Sequence, residues 1–392
     1  QMAPIHFELI KEAGRACGYK FETLPPIDKD AVDVGLKYVN NDVCYPGILL
    51  IGQIINALNS GKYDINRTSV ILTQTGGGCR ATNYIPFLQL ALKQAGFGHV
   101  PIISLNVVGL GKQPGFNYTP KLVSRLIMAV IYGDLLMKVL YRSRPYEKVK
   151  GSTEELFNKW NERAKVILSK GSKQLFDRSI RNIIYDFDNL DLYEYEKPKV
   201  AIVGEILAKY HPMANDNIIK TIEDSGAEVV MPELIDFIYY SLYNSDFKYK
   251  YLDGSLIKKE AAKLSISVLD YYRKEMIVGL EKSKRFSPPS HISELANMVS
   301  DILSIGNHTG EGWLITAEMV DYLKQGVNNI LCVQPLACLP NHITGRGMFK
   351  PVKERFPEAN IAAIDYDPGL SNVNQENRVK LMLSVALKEK GL

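Results

Sequence analysis

The sequence predicts an α/β protein with two parallel-sheet units and a helical segment between them. Short aliphatic and β-branched runs alternate with amphipathic stretches at helical spacing in both the first and the last part of the chain. The middle carries long helical patterns without a strand. A chain of 392 residues, 46% of them hydrophobic, is long enough for two or three domains of about 100–200 residues each.

In the first unit, strand and helix patterns alternate as they do in β-α-β units, whose parallel strands lie under a layer of helices. Apolar residues at helical spacing predict helices at 5–17, 46–58 and 81–95. The second of these has Pro46 in its first turn, where a missing N–H costs nothing. Strands are expected at 20–24, 69–73 and 100–105.

The segment from about 119 to 190 predicts long helices. Its most apolar stretch, 122–140, contains Arg125, Asp134 and Lys138, which indicates a core or interface helix rather than a membrane span. A polar joint at 193–198, which ends in proline, marks a domain boundary near residue 195.

A second α/β unit follows this joint. Its strands are predicted at 199–204, 228–231, 329–333 and 360–364, and its helices at 235–243, 256–284 and 315–323. The chain is therefore divided into an N-terminal α/β domain, a helical segment packed on it and a C-terminal α/β domain, at 1–118, 119–195 and 196–392.

The composition argues against several classes of function. The net charge of +4 comes without a concentrated basic stripe, which argues against nucleic acid as a partner, and no stretch predicts a membrane span or signal peptide. Five widely spaced cysteines argue against a disulfide framework and indicate a reducing, cytoplasmic compartment. Because the chain enters a helical pattern directly after Gln1, we expect it to be a segment of a longer polypeptide.

Three cysteines lie in loops next to predicted strands or helices. Cys44 precedes a helix, Cys79 lies between a strand and a helix, and Cys338 follows a strand. Loops at the carboxyl ends of parallel strands cluster where ligands bind, so these thiols are candidate metal ligands. The helix N-termini next to Cys44 and Cys79 favour the thiolate form, which is the form that binds metal.

Three consecutive glycines stand directly before Cys79: Gly76, Gly77 and Gly78. Because they lack side chains, their backbone can approach a bulky inorganic group and donate N–H hydrogen bonds to it. We therefore expect these glycines to contact a cofactor. The run at 75–78 also has the context of a phosphate loop, but it lacks the Walker and dinucleotide signatures.

Other readings of the cysteines stay open. A free cysteine is often simply an apolar core residue. This is the interpretation favoured for Cys332 inside an apolar strand, with a fourth metal ligand as the alternative. Cys17, at a helix end, is interpreted as structural.

Several polar residues have no assigned role at this stage. Each lies in or near a loop that follows a predicted strand or precedes a helix, where it could line a cleft or cap a helix. These residues are Glu205, His211, His308 and His342.

Five segments together resemble one group of proteins, the activase-related branch of the 2-hydroxyacyl-CoA dehydratase superfamily. The most specific is the string around Cys79, Gln-Thr-Gly-Gly-Gly-Cys-Arg-Ala. The segments are 44–46, 74–81, 310–313, 334–342 and 365–369. The resemblance covers nearly the whole chain, including the start at 2–6.

The resemblance implies tandem Rossmann- or flavodoxin-like parallel-sheet domains with an iron–sulfur cluster in the cleft between them. The cluster would be 4Fe–4S, with a double cubane as the alternative, held by Cys44, Cys79 and Cys338. Relatives receive low-potential electrons from a separate or fused ATP-dependent activator under anaerobic conditions, and a homodimer is expected. However, the well-studied dehydratases need two different subunits, and a double cubane needs more than three cysteines.

Two hypotheses follow. In the first, the chain is a reductase or dehydratase-like component that acts on a small or acyl-CoA substrate at an open iron, as catalytic metal sites keep one position free. In the second, a cluster or zinc ion with four protein ligands relays electrons or stabilises a larger assembly. A third, weaker reading is a metal-free protein that binds a nucleotide or CoA thioester through 75–78.

Overall fold

The computed structural model describes residues 2–28, 30–40, 42–73, 79–105, 115–370 and 372–389. Within them the chain is an α/β protein with two sheets, and every strand pair in both sheets is parallel. The strands are β1 (Val70–Thr73), β2 (Ile102–Leu105), β3 (Lys199–Gly204), β4 (Glu228–Val230), β5 (Asn329–Pro335) and β6 (Asn360–Tyr366).

Helices make up most of the described structure. They are α1 (Pro4–Arg15), α2 (Ala31–Tyr38), α3 (Tyr45–Asn59), α4 (Tyr84–Gln94), α5 (Pro120–Ser143), α6 (Ser152–Lys170), α7 (Lys173–Asp188), α8 (Ile206–Tyr210), α9 (Ile218–Asp224), α10 (Leu234–Tyr251), α11 (Leu256–Glu281), α12 (Ile292–Val299), α13 (Trp313–Lys324), α14 (Phe349–Arg355) and α15 (Asn372–Glu389). None of the described helices is both long and apolar enough to span a bilayer.

The smaller sheet pairs β1 with β2, starting at Val70 opposite Ile102, and α4 forms the crossover between them. Helices α3 and α4 pack on this pair through a core that includes Leu72 and Leu88. Proline at 46 fits the first turn of α3, and almost all of this helix is buried. The predicted β-α-β arrangement of this part is confirmed.

The larger sheet has the order β4-β3-β5-β6, and its central strand β5 is buried along its whole length. Side chains alternate between two cores: Ile202 and Leu331 face α9 and α15, whereas Val203 and Cys332 face α13 and α14. From β3 the chain first crosses to one side, to β4, and later to the other side, to β5 and β6. The carboxyl ends of β3 and β5 therefore flank the point where the direction of winding reverses.

The largest core cluster among the described residues is built from helices. It collects buried side chains from α1, α5, α6, α7, α10, α11, α12 and α13, so it draws on the chain before, within and after the segment 119–195. Asp134 of α5 is fully buried beside this core, where it accepts hydrogen bonds from the N–H groups of Leu234 and Ile235 and pairs with His6 at 2.8 Å.

The strand predicted at 20–24 is wrong, because this segment has no strand pairing. Its aromatic residue packs against other rings instead, because Phe21 stacks on Tyr19 and lies near Phe116. The carbonyl of Phe21 accepts a hydrogen bond from the Arg15 side chain instead of a neighbouring strand. The aromatic side chains here are partly buried against one another, whereas the backbone has no neighbouring strand.

Candidate functional site

The candidate site lies at the carboxyl ends of β3 and β5, which are neighbours in the larger sheet. Glu205 follows β3 directly and is the N-cap of α8, and the loop that carries Cys338 follows β5. Ligands of open α/β sheets bind in the crevice beside such a reversal of strand order.

The Cys338 loop is held by backbone and side-chain contacts. The Leu336 N–H donates to the Tyr366 carbonyl at 2.9 Å, which ties this loop to the end of β6. Ala337 has a φ of 59°, a left-handed conformation that non-glycine residues rarely adopt. The turn presents Cys338 to Asn341, whose amide donates to the Cys338 sulfur over 3.3 Å.

Cys44 is the N-cap residue of α3, and its sulfur lies 2.9 Å from the hydroxyl oxygen of Tyr84. Burial raises the pKa of the Cys44 thiol to about 11, and the nearby Glu205 and Cys79 act in the same direction. The helix N-terminus and the Tyr84 hydrogen bond therefore do not make this thiol acidic, because desolvation of the thiolate outweighs them. Burial and the neighbouring Glu311 and Glu205 likewise raise the pKa of Cys338.

Cys79 lies at the start of the short helical turn that leads into α4. Its sulfur approaches Gly310, since a Cβ atom placed on that glycine would lie 4.0 Å from it. The same Cβ would lie only 2.9 Å from the ring of Pro340, and Gly310 has a φ of 59°. Gly310 thus lies between the Cys79 loop and the Cys338 loop, where a larger residue would collide.

Two carboxyl groups, from Glu205 and Glu311, meet at the first turn of α8. Glu205 accepts a hydrogen bond from the Ala208 N–H at 2.7 Å, and Glu311 accepts one from the Ile206 N–H at 3.0 Å. Burial, followed by the charge of Glu311, raises the pKa of Glu205 to about 8, and burial also raises the pKa of Glu311. At neutral pH this pair therefore retains at least one proton.

Asn341 links the carboxyl pair to Cys338, because its side-chain amide also lies 3.3 Å from a Glu311 oxygen. Behind the pair, the ammonium group of Lys209 binds the Glu318 carboxylate at 2.9 Å, and both side chains are buried. A continuous set of contacts, from α8 through α13 to the Cys338 loop, thus holds the charged side chains of the site in position.

A second polar group lies beside the Cys338 loop, around Asp365 at the end of β6. Asp365 accepts hydrogen bonds from Gln334 at 2.7 Å and from Arg346 at 3.3 Å. The Nε2 atom of His342 lies 3.9 Å from this carboxylate, and its Nδ1 atom lies 2.8 Å from the Cys338 carbonyl oxygen. His342 therefore supports the backbone of the loop.

Glu205 is a neighbour that the Cys44 and Cys338 loops share. It influences the pKa of both Cys44 and Cys338, and Cys44 in turn interacts with Cys79. Among the residues described, however, no group of three or more His, Cys, Asp or Glu side chains has the arrangement of a bound metal ion. The predicted ligands Cys44, Cys79 and Cys338 therefore share a neighbourhood without forming a closed coordination shell in the described structure.

The three glycines that precede Cys79 fall in a gap of the described structure, which stops at Thr73 and resumes at Cys79. The residues concerned are Gly76, Gly77 and Gly78, and all three lie outside the described residues. The expected contact of Gly76, Gly77 and Gly78 with a cofactor therefore stays a prediction from the sequence.

The remaining candidates lie elsewhere. Cys332 is fully buried in the core beneath α13, and Cys17 is partly exposed beyond the end of α1. His308 contacts the Gly306 carbonyl oxygen within its own turn, as a structural residue would. His211 is fully buried, and burial lowers its pKa to about 4.

Sequence reasoning missed the roles of Tyr84, Glu311 and Asn341. Tyr84 begins α4 only five residues after Cys79, and nothing in the sequence connects it with Cys44. Glu311 and Asn341 stand in segments already noted for their motifs. Their proximity to Cys338 depends on the pairing of β5 with β3, which periodicity alone does not predict.

Comparisons of the chain with protein-family models, with curated proteins and with solved structures find no match. The relationship to the 2-hydroxyacyl-CoA dehydratase superfamily therefore stays a prediction from the sequence motifs.

Proposed function

We propose that this chain is the iron–sulfur component of a reductase or a 2-hydroxyacyl-CoA dehydratase-like enzyme, with a cluster held by Cys44, Cys79 and Cys338. One observation carries the proposal. The Cys44 and Cys338 thiols, which lie far apart in sequence, both interact with Glu205 at the carboxyl end of β3, and Cys79 interacts with Cys44 and approaches Gly310 beside the Cys338 loop.

The donor set fits such a group. The three thiols are partly buried, and the raised pKa values of Cys44 and Cys338 keep these two protonated at neutral pH, so that they would release protons on binding iron. Hydrogen bonds from Tyr84 and Asn341 to sulfur are of the kind that tunes the potential of a cluster. When bound, a 4Fe–4S cluster with three cysteine ligands supplies one-electron chemistry and one open iron position, with electrons delivered by an ATP-dependent activator.

The carboxyl pair of Glu205 and Glu311 can hold and release a proton in this site. A group whose pKa lies near neutrality both holds and releases a proton at working pH, which suits a general acid or base. Glu205 fits this role, because burial and Glu311 bring its pKa to about 8. The pair would protonate an oxygen atom of a small or acyl-CoA substrate, as dehydration and many reductions require.

Anaerobic reconstitution with iron and sulfide tests the proposal. We expect stoichiometric iron and sulfide, a broad visible absorption band and an electron paramagnetic resonance signal after reduction. Alanine at position 44, 79 or 338 should reduce the iron content by more than half, whereas Cys17→Ala should leave it unchanged. Iron content that is zero in the parent chain, or equal in all four variants, would refute the assignment.

The position of Cys332 bears on the competing relay function, in which four protein ligands close the site. This thiol is buried in the core between β5 and α13, and burial raises its pKa to about 12. We therefore expect Cys332→Ala to retain its iron and its electron paramagnetic resonance signal. Loss of cluster in this variant, with the fold intact by circular dichroism, would favour the relay.

A further inference from the structure

Helix α11 has apolar side chains on two opposite faces. The inward face packs on α5, α7 and α10 and includes Ala262, Leu269, Met276 and Leu280, all of them buried. The outward face is formed by different residues and is largely exposed, although the Lys173 ammonium group of α7 lies 4.6 Å from the ring centre of Tyr271 at one end of it. A helix on the surface of a single globular protein normally has one apolar stripe, so the second one requires an explanation.

The outward face consists of five residues, which we call the α11 seam. The four large ones are 83%, 69%, 40% and 61% exposed at positions 257, 264, 268 and 271. Their spacing alternates between four and three residues, which is the pattern of a and d positions in a coiled coil. The members of the seam are Ile257, Ala261, Leu264, Val268 and Tyr271.

We propose that the α11 seam binds the α11 seam of a second copy of this chain, with the two helices antiparallel. A two-fold axis would pass near the middle of the seam and place the same residues on both sides of the interface, as in most homodimers. In that alignment Leu264 of each copy meets Val268 of the other. Ser265 and Ser267, which flank the seam, are small enough for the helices to approach closely.

Charge complementarity favours this occupant and this direction. Glu260 and Lys274 flank opposite ends of the seam, both at the g position of the heptad. Antiparallel pairing of two copies brings Glu260 of each beside Lys274 of the other, which makes two ion pairs. Lys274 has no carboxylate partner among the described residues, and Glu260 makes only an exposed pair with Lys263 on its own helix.

The length of the seam sets the extent of the proposed contact. The seam runs from Ile257 to Tyr271, about 22 Å of helix at roughly 1.5 Å per residue. Stable interfaces bury about 800 Å² on each partner. Four more exposed apolar residues next to the N-terminal end of the seam extend the apolar surface beyond the seam itself: Tyr249, Tyr251, Leu252 and Leu256. The proposed dimer does not depend on the proposed function.

Sedimentation velocity of the whole chain at micromolar concentrations tests the inference. We expect a dimer for the parent chain and a dissociation constant about 100-fold weaker for Leu264→Glu. Leu381→Glu is the matched control, because Leu381 of α15 is equally exposed, at 69%, and lies outside the seam. A parent chain that is monomeric throughout, or a Leu264→Glu variant that stays dimeric, would overturn the proposal.

A charge exchange tests the antiparallel direction. Glu260→Lys alone should weaken the dimer about tenfold, since it places like charges side by side in both pairs. The double variant Glu260→Lys and Lys274→Glu should recover the parent dissociation constant. If the double variant remained as weak as the single one, the antiparallel alignment would be wrong.

Discussion

The protonation state of single residues decides how the candidate site responds to pH. Glu205 has a pKa of about 8 because burial disfavours its charged form and Glu311 lies nearby. Its folded pKa is therefore above its unfolded value of 4.5. The contribution of protonated Glu205 to the free energy of unfolding is therefore fully present below pH 4.5. It is lost as the pH rises through about 8, because the buried carboxyl group then has to ionise.

The variant Glu205→Gln should remove this pH dependence. The neutral amide keeps an oxygen for the Ala208 N–H but cannot ionise. We expect the metal-free variant to be more stable than the parent above pH 8 by several kcal/mol, since one pKa unit corresponds to about 1.4 kcal/mol, and the gain to vanish near pH 4.5. Chemical denaturation at several pH values measures the difference. Glu376→Gln, on the exposed face of α15, serves as the control and should follow the parent curve.

Gly310 supplies a second prediction at the residue scale. In Gly310→Ala the new methyl group would lie 2.9 Å from the Pro340 ring in a left-handed backbone conformation. We expect a loss of roughly 1–3 kcal/mol in the free energy of unfolding and a lower iron content after reconstitution, because the Cys79 and Cys338 loops are pushed apart.

The matched control for this change is Gly326→Ala. Gly326 also has a positive φ, of 78°, but a Cβ atom there would meet no atom within 4 Å. Thermal unfolding of both variants separates the cost of the backbone conformation from that of the collision. Equal destabilisation, with iron content unchanged at position 310, would mean that Gly310 does not set the distance between the two loops.

At the scale of elements, the sequence predicted every strand that the structure describes, because each is a short apolar run between turn residues, and it predicted one further strand, at 20–24, that is wrong. Helix α15 was missed although it is long, because its first turns are polar and follow a Pro-Gly turn that suggested a loop. Helices α8 and α9 are too short for helical periodicity to be detected. Their presence depends on tertiary contacts, such as the capping of α8 by Glu205 and Glu311.

The ion pair of Lys209 and Glu318 holds α8 against α13. It thereby also positions the carboxyl pair of the site, Glu205 and Glu311. Both side chains are buried, so Lys209→Met would leave Glu318 without a counter-charge. We expect a loss of about 3–5 kcal/mol in the free energy of unfolding. The double variant Lys209→Met and Glu318→Leu should recover most of that loss, since apolar side chains of similar size fill the space. A double variant as unstable as the single one would show that shape, rather than charge, dominates this contact.

At the scale of the whole molecule, the sequence indicated candidate residues but not how they meet. The choice of Cys44, Cys79 and Cys338 as ligands came from their loops and from the resemblance, and it stays a prediction. Glu205, a neighbour of Cys44 and Cys338, was noted without a role, because the strand order β4-β3-β5-β6 decides which loops are adjacent. That order follows from packing against the helical core, whose members come from nearly the whole chain.

The joint near residue 195 is therefore expected to separate segments that cannot fold independently. The helical core takes side chains from both sides of the joint, and Asp134 accepts hydrogen bonds from Leu234 and Ile235 across it. The ion pair of Arg144 with Glu223, at 2.9 Å, also crosses it. A protease site inserted at the exposed Tyr195 allows the chain to be cut there after folding.

We expect the two fragments of the cut chain to co-elute in size-exclusion chromatography and to melt in one calorimetric transition, because separation would expose the apolar faces of α5 and α7 to water. Residues 1–195 and 196–392 expressed separately should each lack a cooperative transition and bind a hydrophobic dye. An uncut chain that carries the same insertion is the control for the insertion itself. Two fragments that separate and melt cooperatively on their own would instead establish independent domains, with the helical core as an interface between them.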